Sequence, residues 1–231
     1  MTEVAKRRVA IVGGVRLPFC RSNTFYSDQT NMDLLSATIE GLVQQYQLSG
    51  HKIDEVVAGA VTTHSKDFNL AREALLSTSL SPKTPGITLQ QACGTSLQAA
   101  LMSGAKIASG DIECAIVAGT DTTSDVPIVF QDRFAKRLVA LSRARNLRQK
   151  LNAFKGFSLG ELAPQAPKNA EPRTGLSMGG HCELMAKTWQ ITREDQDQLT
   201  LESHQKAQQA WESGFFDSLV VPHNGVLKDN I

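Results

Sequence analysis

Read along the chain, the apolar positions change their period several times. Val9 to Val12 is a short β-branched run ending at Gly13-Gly14, and it predicts a buried strand. Arg16-Leu17-Pro18-Phe19 then leads into a polar loop. From Met32 to Leu48, Leu34, Leu35, Ile39, Leu42, Val43 and Tyr46 recur at helical spacing, with Asn31 as the expected N-cap. Glu55 to Val61 predicts a second strand and Asn69 to Leu80 a second helix. Ile87 to Leu89 predicts a third strand, preceded by the turn signal Pro85-Gly86. A small-residue helix is expected from about Gly94 to Ser109, ended by Gly110, and Ala115 to Ala118 predicts a fourth strand. Strands and helices alternate from residue 5 to residue 122, which implies an α/β fold with a mainly parallel sheet and helices on both faces.

The pattern changes after Asp125-Val126-Pro127. Residues 131–155 hold eight Lys or Arg and one acid, Asp132. Residues 160–175 are rich in Pro, Ala and Gly and read as a loop. Ser177 to Gln190 predicts a helix with Met178, Cys182, Met185 and Trp189 along one stripe. Thr192 is the expected cap of the next helix, with Asp195 at the capping-box position. That helix is expected to turn Leu199, Ala207, Ala210 and Trp211 inward and to end at Gly214. No internal repeat is evident.

Composition narrows the class. Of 231 residues 41% are hydrophobic, enough for a real core, and a formal net charge of +1 argues against binding nucleic acid over the whole chain. The basic segment 131–155 has three readings. It is a solvated helical face, a contact for anionic lipid or a partner subunit, or a site for phosphates. Leu138, Val139, Leu141, Leu147, Leu151 and Phe154 give it an apolar side. Cys20, Cys93, Cys114 and Cys182 lie far apart, at neither disulfide-framework nor metal-ligand spacing, so reduced thiols, a cytoplasmic setting and no metal are expected. The first fifteen residues, MTEVAKRRVAIVGGV, do not read as a signal peptide, and no apolar stretch approaches a membrane span.

The candidate chemistry lies at residues 87–110, where a strand runs into a tight turn at Cys93-Gly94 and a helix leaves at once. Such a turn exposes the nucleophile in other enzyme folds. The positive end of a helix and its unpaired N–H groups favour a thiol in its anionic form. They also offer a donor to the oxygen of a bound thioester. On turn geometry alone, a nucleophile and an inert buried cysteine are both open. Cys114, before a strand, and Cys182, on a helical stripe, read as core. No partner is visible for His51, His64, His181, His204 or His223, so none is assigned a catalytic role.

Several motifs, in order, resemble the thiolase family. They are Arg16-Leu17-Pro18-Phe19, Cys93-Gly94-Thr95-Ser96 and Gly119-Thr120-Asp121 through Ser124 to Pro127. Met178-Gly179, Thr192-Arg193-Glu194-Asp195-Gln196-Asp197, Ser203-His204 and Gly214-Phe215-Phe216 continue the series. The resemblance implies a thiolase-like layered fold, with residues 1–124 as an N-terminal α/β domain lacking its last strand. Residues 125–231 would be a loop domain carrying the basic segment and CoA-facing helices. It implies a degradative 3-ketoacyl-CoA thiolase that cleaves its substrate with CoA through an acyl-Cys93 intermediate. CoA and acyl-CoA are then substrates, with no bound cofactor, and Ser177, Met178 and Gly179 line the CoA tunnel. Partners implied are a second copy through the strand at Ile87 to Gln91, and a hydratase/3-hydroxyacyl-CoA dehydrogenase subunit. Peripheral membrane contact would run through 131–155. The family's Gly-His-Pro and Cys-x-Gly-Gly-Gly strings do not occur in these residues, so only the N-terminal half is expected and the chain alone is expected to be inactive. An inactive acyl-CoA-binding scaffold and a ketoacyl-synthase-like condensing enzyme are the alternatives.

Overall fold

The computed structural model describes residues 7–230. The reading of residues 1–6 as part of a non-signal N-terminus lies outside the described residues. The chain forms two compact units, Met1–Asp125 with Gln198–Ile231, and Val126–Asp197. Residues 198–231 thus group with the α/β part, whereas the sequence reading placed them with the segment that begins at 125.

In the first unit, helix α1 spans Asn31–Gln45 and opens with a capping box. The Thr30 hydroxyl accepts the Asp33 N–H, and the Asp33 carboxylate accepts the Thr30 N–H at 2.9 Å. The cap is therefore Thr30, one residue before the expected Asn31, because a Thr with an acid three residues on satisfies two orphan donors reciprocally. Strand β1 is Glu55–Ala58, helix α2 Leu70–Leu76, strand β2 Gly86–Thr88, helix α3 Thr95–Ser109 and strand β3 Ala115–Val117. The sheet is parallel in the order β2-β1-β3, with Val57 opposite Ile87 and Val117. Gly110, left-handed at φ 85°, ends α3.

Side-chain alternation along β1 divides the two faces. Val56, Ala58 and Ala60 join Leu35, Ile39 and Val43 of α1 and Leu70, Ala74 and Leu75 of α2 in one core. Each fully buried Leu, Ile or Val there contributes about 1.5–3 kcal/mol of transfer free energy. Glu55 points to the opposite face, where α3 lies. Its carboxylate accepts the Ser103 hydroxyl at 2.8 Å and the Lys106 ammonium at 2.5 Å. A buried carboxylate is tolerated because both oxygens are matched.

The expected strand at Val9–Val12 is not formed. Arg7 N–H reaches Ala108 O, and Arg16 pairs with Val220, but no ladder bond joins them in the described structure. Ile11 stands 95% exposed. A β-branched run becomes a strand only where a neighbour takes its backbone groups, and here a cavity separates it from β3. Arg16 is held firmly. Its guanidinium meets the Asp229 carboxylate through two bonds of 2.7 and 2.8 Å and stacks on Phe19 and Phe216.

In the second unit, helices α4 (Asp132–Arg143) and α5 (Leu147–Ala153) lead to a 3-10 turn at Leu159–Leu162 and helix α6 (Met178–Thr188). The Arg137 guanidinium joins three of these pieces. It donates to Glu161 and to the carbonyls of Ala153, Lys155 and Gly156. The expected stripe on α6 is not core: Met178 is 77% exposed, and Met185, Trp189 and Cys182 are exposed too. An apolar stripe is buried only against a second element, and among the described residues no helix or strand packs on α6. Helix α7 (Arg193–Glu212) begins in this unit with the Thr192–Asp195 capping box and ends in the first. Leu199 and Ala207, expected inward, are exposed, and Ala210 and Trp211 are half-buried. Gly214, left-handed at φ 73°, follows its end. Among the described residues no helix is long and apolar enough to cross a membrane.

Candidate active site

The turn at Cys93 is built by its neighbours. Leu89 N–H bonds Ala58 O at 3.1 Å, so the chain leaves the sheet just after β2. Ala92 then takes the left-handed conformation, φ 45°, which costs a non-glycine residue about 1–2 kcal/mol. Thr95 holds the turn in that state. Its buried hydroxyl accepts the Gln91 N–H at 2.9 Å and donates to Ala92 O at 2.7 Å. Gly94 N–H closes on Gln91 O at 3.0 Å, and α3 starts at Thr95. Gly94 supplies no side-chain cap, and Thr95 N–H bonds Ala92 O at 3.2 Å, so in the first turn of α3 the N–H groups of Ser96 and Leu97 are left to whatever occupies the site. The Cys93 thiol is exposed at this point.

Two glycines let the strand ends approach the turn. A Cβ on Gly59 would meet Leu89 O at 1.8 Å, and one on Gly119 would meet Ser96 Cβ at 3.0 Å. Asp121, two residues past Gly119, fixes the loop after β1. Its carboxylate accepts the Val61 N–H at 2.9 Å and the Thr62 N–H and hydroxyl at 3.0 Å each. Buried Asn31 donates to the Thr62 carbonyl and, at 3.2 Å, to the Thr62 hydroxyl. His64 Nε2 lies 3.0 Å from Asp125 Oδ2. Thr95, Ala92, Gly59 and Asp121 were not recognised as site-building from the sequence. The available signals were the hydroxyl two residues past the cysteine and the place of Asp121 in the motif from Gly119 to Pro127.

The other thiols sit differently. Burial pushes the Cys20 thiol above its ordinary range, against a lowering contribution from Tyr26, with the Asp229 charge adding to the rise. Cys114 and Cys182, read as core, are exposed. Cys114 precedes the edge strand β3, and Cys182 lies on the uncovered α6. Cys93 belongs to the first unit, and Ser177, Met178 and Gly179 to the second. Ser177 caps α6, its hydroxyl accepting the Gly180 N–H at 3.1 Å. Met178 is exposed, and a Cβ on Gly179 would meet only Ser177 Oγ, at 3.8 Å. No group of three His, Cys, Asp or Glu suited to a metal occurs among the described residues.

A parallel sheet between helices, with an exposed cysteine in the turn between a strand and its helix, defines an α/β class that presents a thiol at a helix start. The model of the thiolase N-terminal domain matches residues 9–230, and the chain belongs to the thiolase family. It is 37% identical, over 97% of its length, to a 3-ketoacyl-CoA thiolase of Yersinia pestis bv. Antiqua (strain Angola), of which it covers 54%. A second 3-ketoacyl-CoA thiolase, from Yersinia pestis (strain Pestoides F), is 39% identical over 96% of this chain and 52% of its own. The crystal structure of Bacillus anthracis acetyl-CoA acetyltransferase superposes with a TM-score of 0.74 at 26% identity, covering 94% of this chain and 51% of that one. An Ascaris suum thiolase crystallised with coenzyme A shares the fold, with a TM-score of 0.73 at 21% identity, over 93% and 52% of the two chains. The chain spans about half the length of the curated relatives it matches, and it corresponds to their N-terminal half.

Proposed function

We propose that this chain carries the acyl-accepting half of a 3-ketoacyl-CoA thiolase of fatty-acid β-oxidation, with Cys93 as the nucleophile. The observation that carries this reading is the exposed thiol at an uncapped helix start, in a turn held by Thr95. The Cys93 sulfur attacks the 3-keto carbonyl, and N–H groups at the start of α3 face the oxygen that becomes negative. The C2–C3 bond breaks, its electron pair leaves with acetyl-CoA as an enolate, and a proton donor quenches it. A CoA thiolate then takes the acyl group from Cys93. The base that activates Cys93 and the acid that protonates the enolate are assigned to polypeptide beyond these 231 residues. Ser177, Met178 and Gly179 are proposed to border the CoA pantetheine. A second copy is proposed to pair at the outer edge of β2 and residues up to Gln91. The segment 131–155 would meet an anionic surface or a hydratase/dehydrogenase partner, in the cytoplasm.

Iodoacetamide labelling at neutral pH, followed by peptide mass spectrometry, tests the nucleophile. Cys93, Cys114 and Cys182 are all exposed, so their relative rates report activation rather than access. Cys93 is expected to label first. Faster labelling of Cys114 or Cys182 would remove Cys93 from the role. The 231-residue chain alone is expected to give no thiolytic turnover, since losing members of a catalytic set costs several powers of ten in rate. Cys93-dependent formation of acetyl-CoA from a 3-ketoacyl-CoA and CoA by the purified chain would refute that expectation.

A further inference from the structure

Past β3 the chain is tied to the rest of the first unit by a run of short polar contacts. The Asp121 carboxylate holds the N–H groups of Val61 and Thr62, and the Thr123 hydroxyl donates to Ser22 Oγ at 2.8 Å. The Ser124 hydroxyl accepts the Asn23 N–H at 2.9 Å, and the Ser124 N–H bonds the Thr122 hydroxyl at 3.1 Å. His64 makes the last of these ties. Its Nε2 stands 3.1 Å from Asp125 O and 3.0 Å from Asp125 Oδ2. Asp125 closes the first unit, and Val126 opens the second. Among the described residues no other hydrogen bond reaches Asp125, and none reaches the backbone of residues 126–128. The next backbone bonds are those of Val129 with Gln165.

A carbonyl oxygen only accepts, so Nε2 carries a proton and directs it at Asp125 O. Asp125 Oδ2 is closed off from water and, although it lies 3.0 Å from Nε2, the angle denies it a hydrogen bond. Beside a neutral imidazole this carboxylate oxygen is buried with no donor of its own, which is unfavourable. An imidazolium charge compensates it through space. The two side chains are only 22% and 29% exposed, so salt screens the attraction little. We infer that His64 and Asp125 form a proton-operated latch on the segment by which the chain leaves the first unit. Histidine is the side chain whose charge changes between about pH 5 and 8, and a carboxylate stays ionised across that range. The latch is closed on the acid side, with imidazolium against carboxylate, and loosens as rising pH removes the imidazole charge. The other charged groups on the surrounding segments are engaged elsewhere or lie on exposed loops. Asp121 is bonded to Val61 and Thr62, and Asp33, at the start of α1, to Thr30. Lys66 and Asp67 share the loop of His64, and Arg21 and Asp28 lie on the loop that Asn23 ties to Ser124. None of these side chains is hydrogen-bonded to the imidazole.

Amide hydrogen exchange of the 231-residue chain tests this at about pH 5.5 and about pH 8, near the two ends of the histidine range. Each rate is divided by that of an unstructured peptide at the same pH. Ser124 and Asp67 are the reporters, because the Ser124 N–H bonds the Thr122 hydroxyl and the Asp67 N–H bonds His64 O, one on each side of the pair. Protection at both is expected to be roughly threefold greater at the acid pH, the effect of one partly exposed ion pair. Ala118, whose N–H bonds Val57 O within the sheet, is expected to keep its protection. His64→Gln retains a neutral amide donor for the carbonyl, and Asp125→Asn removes the carboxylate charge. Either variant should erase the pH difference at Ser124 and Asp67, and if one does not fold the other still decides. Equal protection at the two pH values in the parent, or a difference that survives in His64→Gln, overturns the inference. So does an equal change at Ala118, which would make the effect global. Cys93 is read by none of these measurements, so failure here is distinct from failure of the catalytic reading.

Discussion

Thr95→Val is the sharpest perturbation of the cysteine turn. Valine keeps the shape of the buried side chain and removes its hydroxyl, and with it the bonds to Gln91 N–H at 2.9 Å and Ala92 O at 2.7 Å. Each such bond is worth about 0.5–1.5 kcal/mol net. Ala92 O keeps its bond from Thr95 N–H at 3.2 Å, and Gln91 is exposed, so water can reach its freed N–H. The combined loss therefore falls near the low end of the summed range of about 1–3 kcal/mol, at about 1–1.5 kcal/mol. A domain of this size loses about 2–4 °C of melting temperature per kcal/mol, so a drop of about 2–6 °C is expected. The left-handed Ala92, strained by about 1–2 kcal/mol, would then be held only by the backbone bonds of Gly94 and Thr95 N–H and would relax. Cys93 would move off the start of α3, and its iodoacetamide labelling would slow. Thr95→Ser, which restores the hydroxyl, should recover both the melt and the rate. Unchanged melting of Thr95→Val within about 1 °C, with labelling at the parental rate, would refute the idea that this hydroxyl sets the turn.

Ala92→Gly should raise stability slightly, since relief of about 1–2 kcal/mol of left-handed strain exceeds the roughly 0.5–1 kcal/mol entropic cost of glycine. A lower melting temperature would contradict the positive φ. Asp121→Ala should speed amide exchange at Val61 and Thr62 by roughly tenfold, equivalent to about 1.4 kcal/mol, and unaltered exchange would show that the carboxylate does not hold that loop. Asp229 supplies a pH test. Burial opposes ionisation there, but hydrogen bonds from Arg16 and Phe19, and the Arg16 charge, outweigh it and hold the carboxyl below its usual range. A depressed folded value means the stabilisation is present above the unfolded value of about 3.9. It is lost as pH falls through the folded value. The parent should lose stability on acidification below about pH 4, and Asp229→Asn should flatten that limb. An identical acid profile in the variant would exclude the pair as its source.

The periodic segments were legible because their burial is local. Helix α1 carries its apolar stripe where spacing predicts, and β1 is buried throughout, as a strand covered on both faces should be. The cysteine turn was legible for the same reason, since strand, turn and helix are contiguous. What could not be read depended on distant partners. Thr30 rather than Asn31 caps α1, and Asn31 is turned inward by Thr62, 31 residues away. Arg16 looked like a sequence marker, yet its role is to meet Asp229, 213 positions on. Val9–Val12 and the α6 stripe have the composition of buried elements, but burial needs a neighbour, and composition cannot supply one.

The Arg137 cluster has a consequence for proteases. Trypsin needs an extended, accessible basic residue, and residues 131–155 offer eight candidates. Arg137 is withdrawn, with its guanidinium closed among Glu161 and three carbonyls. Arg145 and its neighbour Arg143 lie at the connection between α4 and α5, where the chain leaves helical geometry at Ala144. Limited digestion should therefore nick this stretch near 143–145 first. The two fragments should stay associated after the cut, since one guanidinium grips main-chain atoms on the far side of the break.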